Sequence, residues 1–182
     1  MDAPTLFLVR HGEAAGQEPG APLTDRGIAA VHRLAPYLEA HQIDVLVSSP
    51  YRRAQDTARL LGPALRLPVW LDRRLAERVL TSQPSPEWRS LLAATFADPD
   101  LTYPGGESSR GATRRALAVV TEVVRQGYRR PLLVTHGNLL ALVLHHFRSE
   151  WGFPEWERLA APDAFSVAPI ASGWRVTRLQ PE

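Results

Sequence analysis

The chain has no cysteine. This absence removes disulfides, thiolate nucleophiles and cysteine-ligated zinc together, so any chemistry must run on His, Glu, Asp, Ser or Arg. Lysine is missing as well: all 21 basic residues are arginine. No apolar run reaches the ~18 residues that a membrane-crossing helix needs. Residues Met1 to Thr5 lack a basic stretch leading into an apolar one, so no secretory signal is expected and the cytoplasm is the expected compartment. His, Asp and Glu show no metal-site spacing, so neither a metal nor another cofactor is expected. The arginines do not gather into a stripe, which argues against a nucleic-acid partner.

What remains is ordinary globular material. The chain has 182 residues, 45% of them hydrophobic and 22% charged, with a net charge of +2. That fits a single domain over residues 1–182 with a sizeable core. Two readings of the arginine total compete. High-GC coding bias explains the number; phosphate handling would explain the type, because guanidinium binds phosphate through two parallel hydrogen bonds. Only the positions of particular arginines can separate the two.

Along the chain, apolar strand-formers alternate with helical patterns. Thr5 to Val9, Asp44 to Ser48 and Pro131 to Thr135 are continuous apolar runs of the kind buried in a sheet covered on both faces. Val69 to Leu71 is a short further strand. Thr24 caps a helix carrying Ile28, Val31, Leu34 and Leu38, with Pro36 as a possible kink. Ser49-Pro50 is read as the start of a second helix and Gly62-Pro63 as its stop. Ser85-Pro86-Glu87 opens a short helix with Trp88, Leu91, Leu92 and Phe96 on one side. A long helix spans about Ser108 to Gln126, with Leu117, Val120, Val123 and Val124 inward and Gly127 after it. Leu139 to Phe147 is helical, and Phe165 to Val167 pairs with Trp174 to Thr177 about Ser172-Gly173. The pattern predicts a three-layer α/β/α sandwich with a mostly parallel central sheet.

Ligands of such sheets bind beyond the carboxyl ends of the strands. Three segments put polar residues there: Arg10-His11-Gly12, Ser48 to Arg53, and His136-Gly137-Asn138. A neutral imidazole is a good nucleophile toward phosphorus, and arginines neutralise the phosphoryl oxygens. Gly12 and Gly137 would let backbone approach an anion closely. Helix N-termini after Ser49 and His136 would each add roughly half a positive charge.

These residues also carry a resemblance. Leu8-Val9-Arg10-His11-Gly12-Glu13 resembles the signature of the histidine phosphatase superfamily, which includes the phosphoglycerate mutases. Pro22 to Gly27 is similar to the opening of that family's first helix. Ser48 to Ala58 resembles its second arginine motif, Pro104 to Ser108 the start of its long helix, and Val134 to Asn138 its second histidine motif. Five motifs in the family's order cover residues 6–145. The resemblance implies a phosphoglycerate mutase-like fold, with residues 78–106 as a partial cover over the site. It implies His11 as the phosphorylated nucleophile, Arg10 and Arg53 as phosphate ligands, and His136 as the group that stabilises the transferring phosphoryl. Arg52 is expected to be a solvated helix residue. Glu77 is the implied general acid, with Glu107 and Glu13 as competitors; Glu107 is expected to tie its loop to its helix and Glu13 to line the pocket mouth. Gly12, Glu13, Gln17, Gly137 and Asn138 complete the expected binding set.

Bland readings stand beside these. His32, His41, His145 and His146 are expected on surfaces or in packing, and Asp44 and Asp72 as turn residues. Trp88 and Phe96 are either a substrate cover or a core stripe, with the core favoured. Trp151, Phe153 and Trp156 either pack the last strands or form a contact with a second copy, so a monomer and a homodimer both stay open. Two departures bear on the reaction. Gln17 stands where mutases usually carry Asn, and Arg78-Val79-Leu80-Thr81 replaces the glycine-tryptophan sequence common after the acid. In the mutases of the family that the chain resembles, a basic insertion comes after the second motif; only Leu71 to Arg74 lies there. The expected activity is therefore a cofactor-independent phosphomonoesterase acting on a small phosphorylated metabolite. A mutase, supported by His136-Gly137-Asn138, and a phosphoester-binding protein with a vestigial site are the alternatives.

Overall fold

The structure, a computed structural model, describes residues 3–179. Its strands are β1 (Leu6–Arg10), β2 (Val45–Ser48), β3 (Val69–Leu71), β4 (Pro131–Thr135), β5 (Asp163–Ile170) and β6 (Gly173–Arg178). Its helices are α1 (Asp25–Glu39), α2 (Arg52–Leu65), α3 (Trp88–Ala97), α4 (Ser109–Arg125), α5 (Gly137–Phe147) and α6 (Phe153–Glu157), with a 3-10 turn at Arg73–Leu75. The strands form one sheet in the order β3-β2-β4-β1-β5-β6, parallel from β3 to β1 and antiparallel beyond.

The alternation of side chains along each strand builds two cores. Leu6, Leu8, Val45, Val47 and Leu133 point to one face, where they meet α4 and α5. Phe7, Val9, Leu46, Leu132 and Val134 point to the other, where they meet α1 and α2. Strands apolar on both faces thus sit between two helical layers, as the continuous apolar runs predict.

Register then aligns the strand ends. Arg10 pairs with Thr135, and Ser48 with Val134. The ladder continues one step further, His11 N donating to Thr135 O at 3.0 Å and Ser49 N to Val134 O at 2.9 Å. His11, Ser49 and His136 therefore leave three neighbouring strands at one edge.

Several local expectations differ from the structure. α2 begins at Arg52 after Tyr51, not at Pro50, and no side chain caps it. Ser49 Oγ accepts from Tyr51 N at 3.2 Å, just before the helix begins, and also meets His136 Nε2, as described below. Gly62-Pro63 lies inside α2, which runs on until Arg66 turns left-handed at φ 56°. Pro36 likewise lies within α1. In α4 the buried stripe is Ala112, Ala116, Val119 and Val123, with Leu117 and Val120 at its margin. Small residues take the innermost positions because α4 lies close against α5. Phe96 packs on the core, whereas Trp88 is 45% exposed and meets Trp156 edge-on. Trp151 meets Phe165 edge-on and so supports the last strands.

Gly27 sits one turn into α1, capped by Thr24, whose Oγ1 accepts from Gly27 N at 3.0 Å. A Cβ on Gly27 would stand 2.2 Å from Glu13 O, in the loop that follows His11. Glycine-to-alanine inside a helix ordinarily gains about 1 kcal/mol. Here Gly27→Ala should reverse that sign and cost about 1–3 kcal/mol through overpacking, read by urea unfolding.

Candidate active site

His11 is 9% exposed at the tip of β1. Its Nδ1 lies 2.7 Å from Gly12 O, and Arg53 Nε lies 3.0 Å from its Nε2. The partners assign the ring: a carbonyl can only accept, so Nδ1 carries the proton; a guanidinium can only donate, so Nε2 carries a lone pair. Burial, reinforced by Arg53 and Arg10 and opposed by the Gly12 bond, lowers the His11 pKa to about 3. The ring is therefore neutral, with its free electron pair directed at Arg53.

Arg53 is 2% exposed on the first turn of α2. Its Nη1 donates to Gln17 O at 3.1 Å and Glu18 O at 3.0 Å, which fastens the loop after His11. Gln17 thus contributes its carbonyl, while its side chain is exposed. Arg52 is exposed beside it. Arg10 Nη1 donates to Leu159 O at 2.8 Å. A Cβ on Gly137 would lie 3.2 Å from Arg10 Cζ, so the missing side chain is what lets this guanidinium rest on the start of α5. Burial lowers both arginine pKa values, and Glu77 is the first opposing influence on each.

His136 is fully buried, its ring centroid 5.0 Å from that of His11. Its Nε2 lies 2.7 Å from Ser49 Oγ. Burial, then His11 and Arg53, hold its pKa well below the usual imidazole value. Gly12 N donates to Thr57 Oγ1 at 3.0 Å, and a Cβ on Gly12 would stand 3.0 Å from Val31 Cγ2. The contacts of Ser49 with His136 and of Thr57 with Gly12 were not foreseen from the sequence; both residues sit in the second arginine motif, and that was the available signal.

Glu77 follows the 3-10 turn. Its Oε1 accepts from Arg78 N at 2.9 Å and Leu139 N at 3.0 Å, and its Oε2 from Asn138 N at 3.1 Å. The carboxyl therefore sits on the N-terminus of α5, where a negative group is favoured. Arg78, 5% exposed, reaches Thr95 Oγ1 and Glu107 O, both at 2.8 Å, and Asn138 Oδ1 at 3.5 Å. The departure at Arg78 is thus part of this cluster, and with Thr95 it ties the 78–106 segment to the start of α5. Glu107 forms a two-pronged pair with Arg115 of α4, as expected for a loop tie. Glu13 stands apart: it lines a groove of about 780 Å³ with Arg26, Arg33 and Tyr37.

Buried side-chain atoms without a hydrogen-bond partner among the described residues include Arg10 Nε, Arg78 Nη2, Asn138 Nδ2 and His136 Nδ1. They belong to the residues gathered around the β1 and β4 ends, and three of them are N–H donors outright. His32, His145 and His146 are exposed, and His41 packs against Phe7. Among the described residues no three His, Asp or Glu side chains cluster as a metal site would require.

Residues 6–178 match the histidine phosphatase superfamily (branch 1). The chain belongs to that superfamily. A probable phosphoglycerate mutase GpmB of Yersinia pestis is 32% identical over 157 residues, covering 76% of this chain and 72% of that protein. Mycobacterial glucosyl-3-phosphoglycerate phosphatase in complex with VO3 superposes with TM-score 0.77 at 26% identity, over 99% and 100% of the two chains. A putative alpha-ribazole-5'-P phosphatase from Escherichia coli shares the fold at TM-score 0.74 and 23% identity, over 99% and 97%.

Neutral buried imidazoles have a measurable signature. The His11 and His136 ring signals should stay flat in NMR from pH 8 to pH 5, and a step near pH 6.5 would contradict the burial. Stability follows with a definite sign. Both folded values lie below that of a free imidazole, so as pH falls the unfolded chain takes protons first. Unfolding free energy should therefore drop from about pH 6.5 downward, by up to about 1.4 kcal/mol per pH unit for each ring. The His11 share continues to about pH 3.

Proposed function

We propose that the chain is a phosphomonoester hydrolase that works through a phosphohistidine at His11. The Nε2 lone pair, free of a proton because Nδ1–H is bound to Gly12 O, carries this reading. An incoming phosphoryl oxygen takes over the Arg53 N–H, which exposes the lone pair to phosphorus. Nε2–P forms as the P–O bond to the alcohol breaks; the proton that the departing oxygen takes enters with the monoanionic phosphate ester and is relayed to that oxygen by the Glu77 carboxylate. Water then attacks phosphorus, Glu77 takes back a proton, and Nε2–P breaks to release inorganic phosphate.

Arg10 Nε and His136 Nδ1 supply partners for the phosphoryl oxygens in this reading, and N–H groups aimed where charge develops are the main source of catalysis in phosphoryl transfer. His136 serves as donor when Ser49 Oγ–H donates to its Nε2, which leaves the proton on Nδ1. Gly137 and Asn138 provide the helix start beside the anion. The same reading makes the reaction independent of metal and the partner a small phosphorylated metabolite in the cytoplasm. Among the described residues no helix is long and apolar enough to cross a membrane.

A mutase is the second reading, favoured by the GpmB relative and by the uncommitted donors of Arg78 and Asn138. The short connection from Leu71 to Arg73 favours hydrolysis, because it adds no basic wall to retain a bisphosphate. One panel separates the two. With chelator present, simple phosphomonoesters and both 2- and 3-phosphoglycerate are scored separately for phosphate release and for isomer exchange. Release should exceed exchange, and His11→Ala should lower it by at least about 10³-fold. Exchange faster than release would make the enzyme a mutase; binding without turnover would make the site vestigial.

A further inference from the structure

Arg115 of α4 is only 22% exposed and makes four hydrogen bonds. Nε and Nη2 each donate to one carboxylate oxygen of Glu107 at 2.8 Å. Nη1 donates to two backbone carbonyls, Arg74 O at 2.6 Å and Ala76 O at 2.8 Å. The carbonyl between them, Leu75 O, accepts from Thr135 Oγ1 at 2.9 Å. Three consecutive carbonyls immediately before Glu77 are thus held by two side chains, one on α4 and one at the end of β4.

The far side of Glu77 is held too. Glu107 N donates to Val79 O at 2.8 Å, and Arg78 Nε donates to Glu107 O at 2.8 Å. Residues 74–79 contain only a single 3-10 turn, so local hydrogen bonding does little to fix them. A guanidinium with every prong engaged is a rigid support, because its planar fork loses little freedom for each bond it forms. Proton transfer to a leaving oxygen needs placement within hydrogen-bond reach, and an error of about 1 Å costs about 100-fold.

We infer that Arg115, seated on Glu107, is a positioning residue that sets the Glu77 carboxyl against the leaving-group oxygen. The inference rests on the reading of Glu77 as the proton donor, and the test separates the two. An alkyl phosphate such as glycerol phosphate leaves as an alkoxide and needs that proton, whereas 4-nitrophenyl phosphate leaves as a stable phenolate and does not. The ratio of the two kcat/KM values, measured on one sample, reports phosphoryl transfer to His11, the step in which the leaving groups differ, and is independent of the fraction of enzyme that is folded. Losses from general unfolding therefore cancel.

Arg115→Met should lower the alkyl-to-aryl ratio by about 10- to 100-fold. The fall should sit in kcat/KM for the alkyl phosphate, with kcat/KM for 4-nitrophenyl phosphate little changed. Arg115→Lys should recover part of the ratio. Glu107→Gln, which keeps the shape and loses the charge of the support, should lower the ratio less and serves if Arg115→Met does not fold. Glu77→Gln, run in parallel, should lower it most. A ratio that stays at the wild-type value in the Arg115 and Glu107 variants while Glu77→Gln lowers it would overturn the positioning role alone. A ratio untouched by Glu77→Gln would overturn the acid assignment, and the positioning role with it.

Discussion

The hydrogen bond from His11 Nδ1–H to the Gly12 carbonyl decides which ring nitrogen can react. It is short-range and covers one residue of sequence, yet the rest of the site is arranged around its consequence. With Nδ1 protonated and the ring neutral, Nε2 presents a lone pair, and Arg53 is the group that meets it. The environment that keeps the ring neutral is burial, aided by two guanidinium groups. In the proposed reaction the arginines serve twice: they repel a proton from the imidazole and would offer N–H groups to phosphate oxygens.

The fold supplies this bond with its setting through register more than through any single contact. Three parallel strands end in step, so a residue placed one position past each end arrives at the same edge. Those residues are His11, Ser49 and His136. The helices that follow bring Arg53 and the α5 N-terminus to the same edge, and that N-terminus in turn holds Glu77 by both of its oxygens. Gly27 and Gly137 matter because a methyl group at either would meet a neighbour the site needs: the loop after His11 in one case, Arg10 in the other.

Much of this was legible in the residues. Apolar runs without alternation announce strands covered on both faces, and the two histidines directly after such runs announce the edge at which their rings meet. Arg53 could be told from Arg52 only through the family resemblance; burial of one and exposure of the other is what separates them physically. Other features were hidden because they depend on tertiary partners. Ser49 reads from its neighbours only as a helix start, yet its hydroxyl, besides accepting from Tyr51 N, reaches His136, 87 positions along the chain. Gly62-Pro63 looks like a stop, yet α2 runs through it to Arg66. The Arg78–Asn138 contact joins residues 60 positions apart in the chain, and no local pattern points from one to the other.

The central claim is that His11 Nε2 forms a bond to phosphorus. The direct measurement is rapid acid-free quenching of enzyme mixed with a phosphomonoester, followed by peptide mass spectrometry of the first strand and its loop. A phosphoryl group on His11 that appears and decays within the turnover time, and is lost in His11→Ala, is the predicted result. Steady turnover with His11 never phosphorylated, or with the label on another residue, would contradict the account.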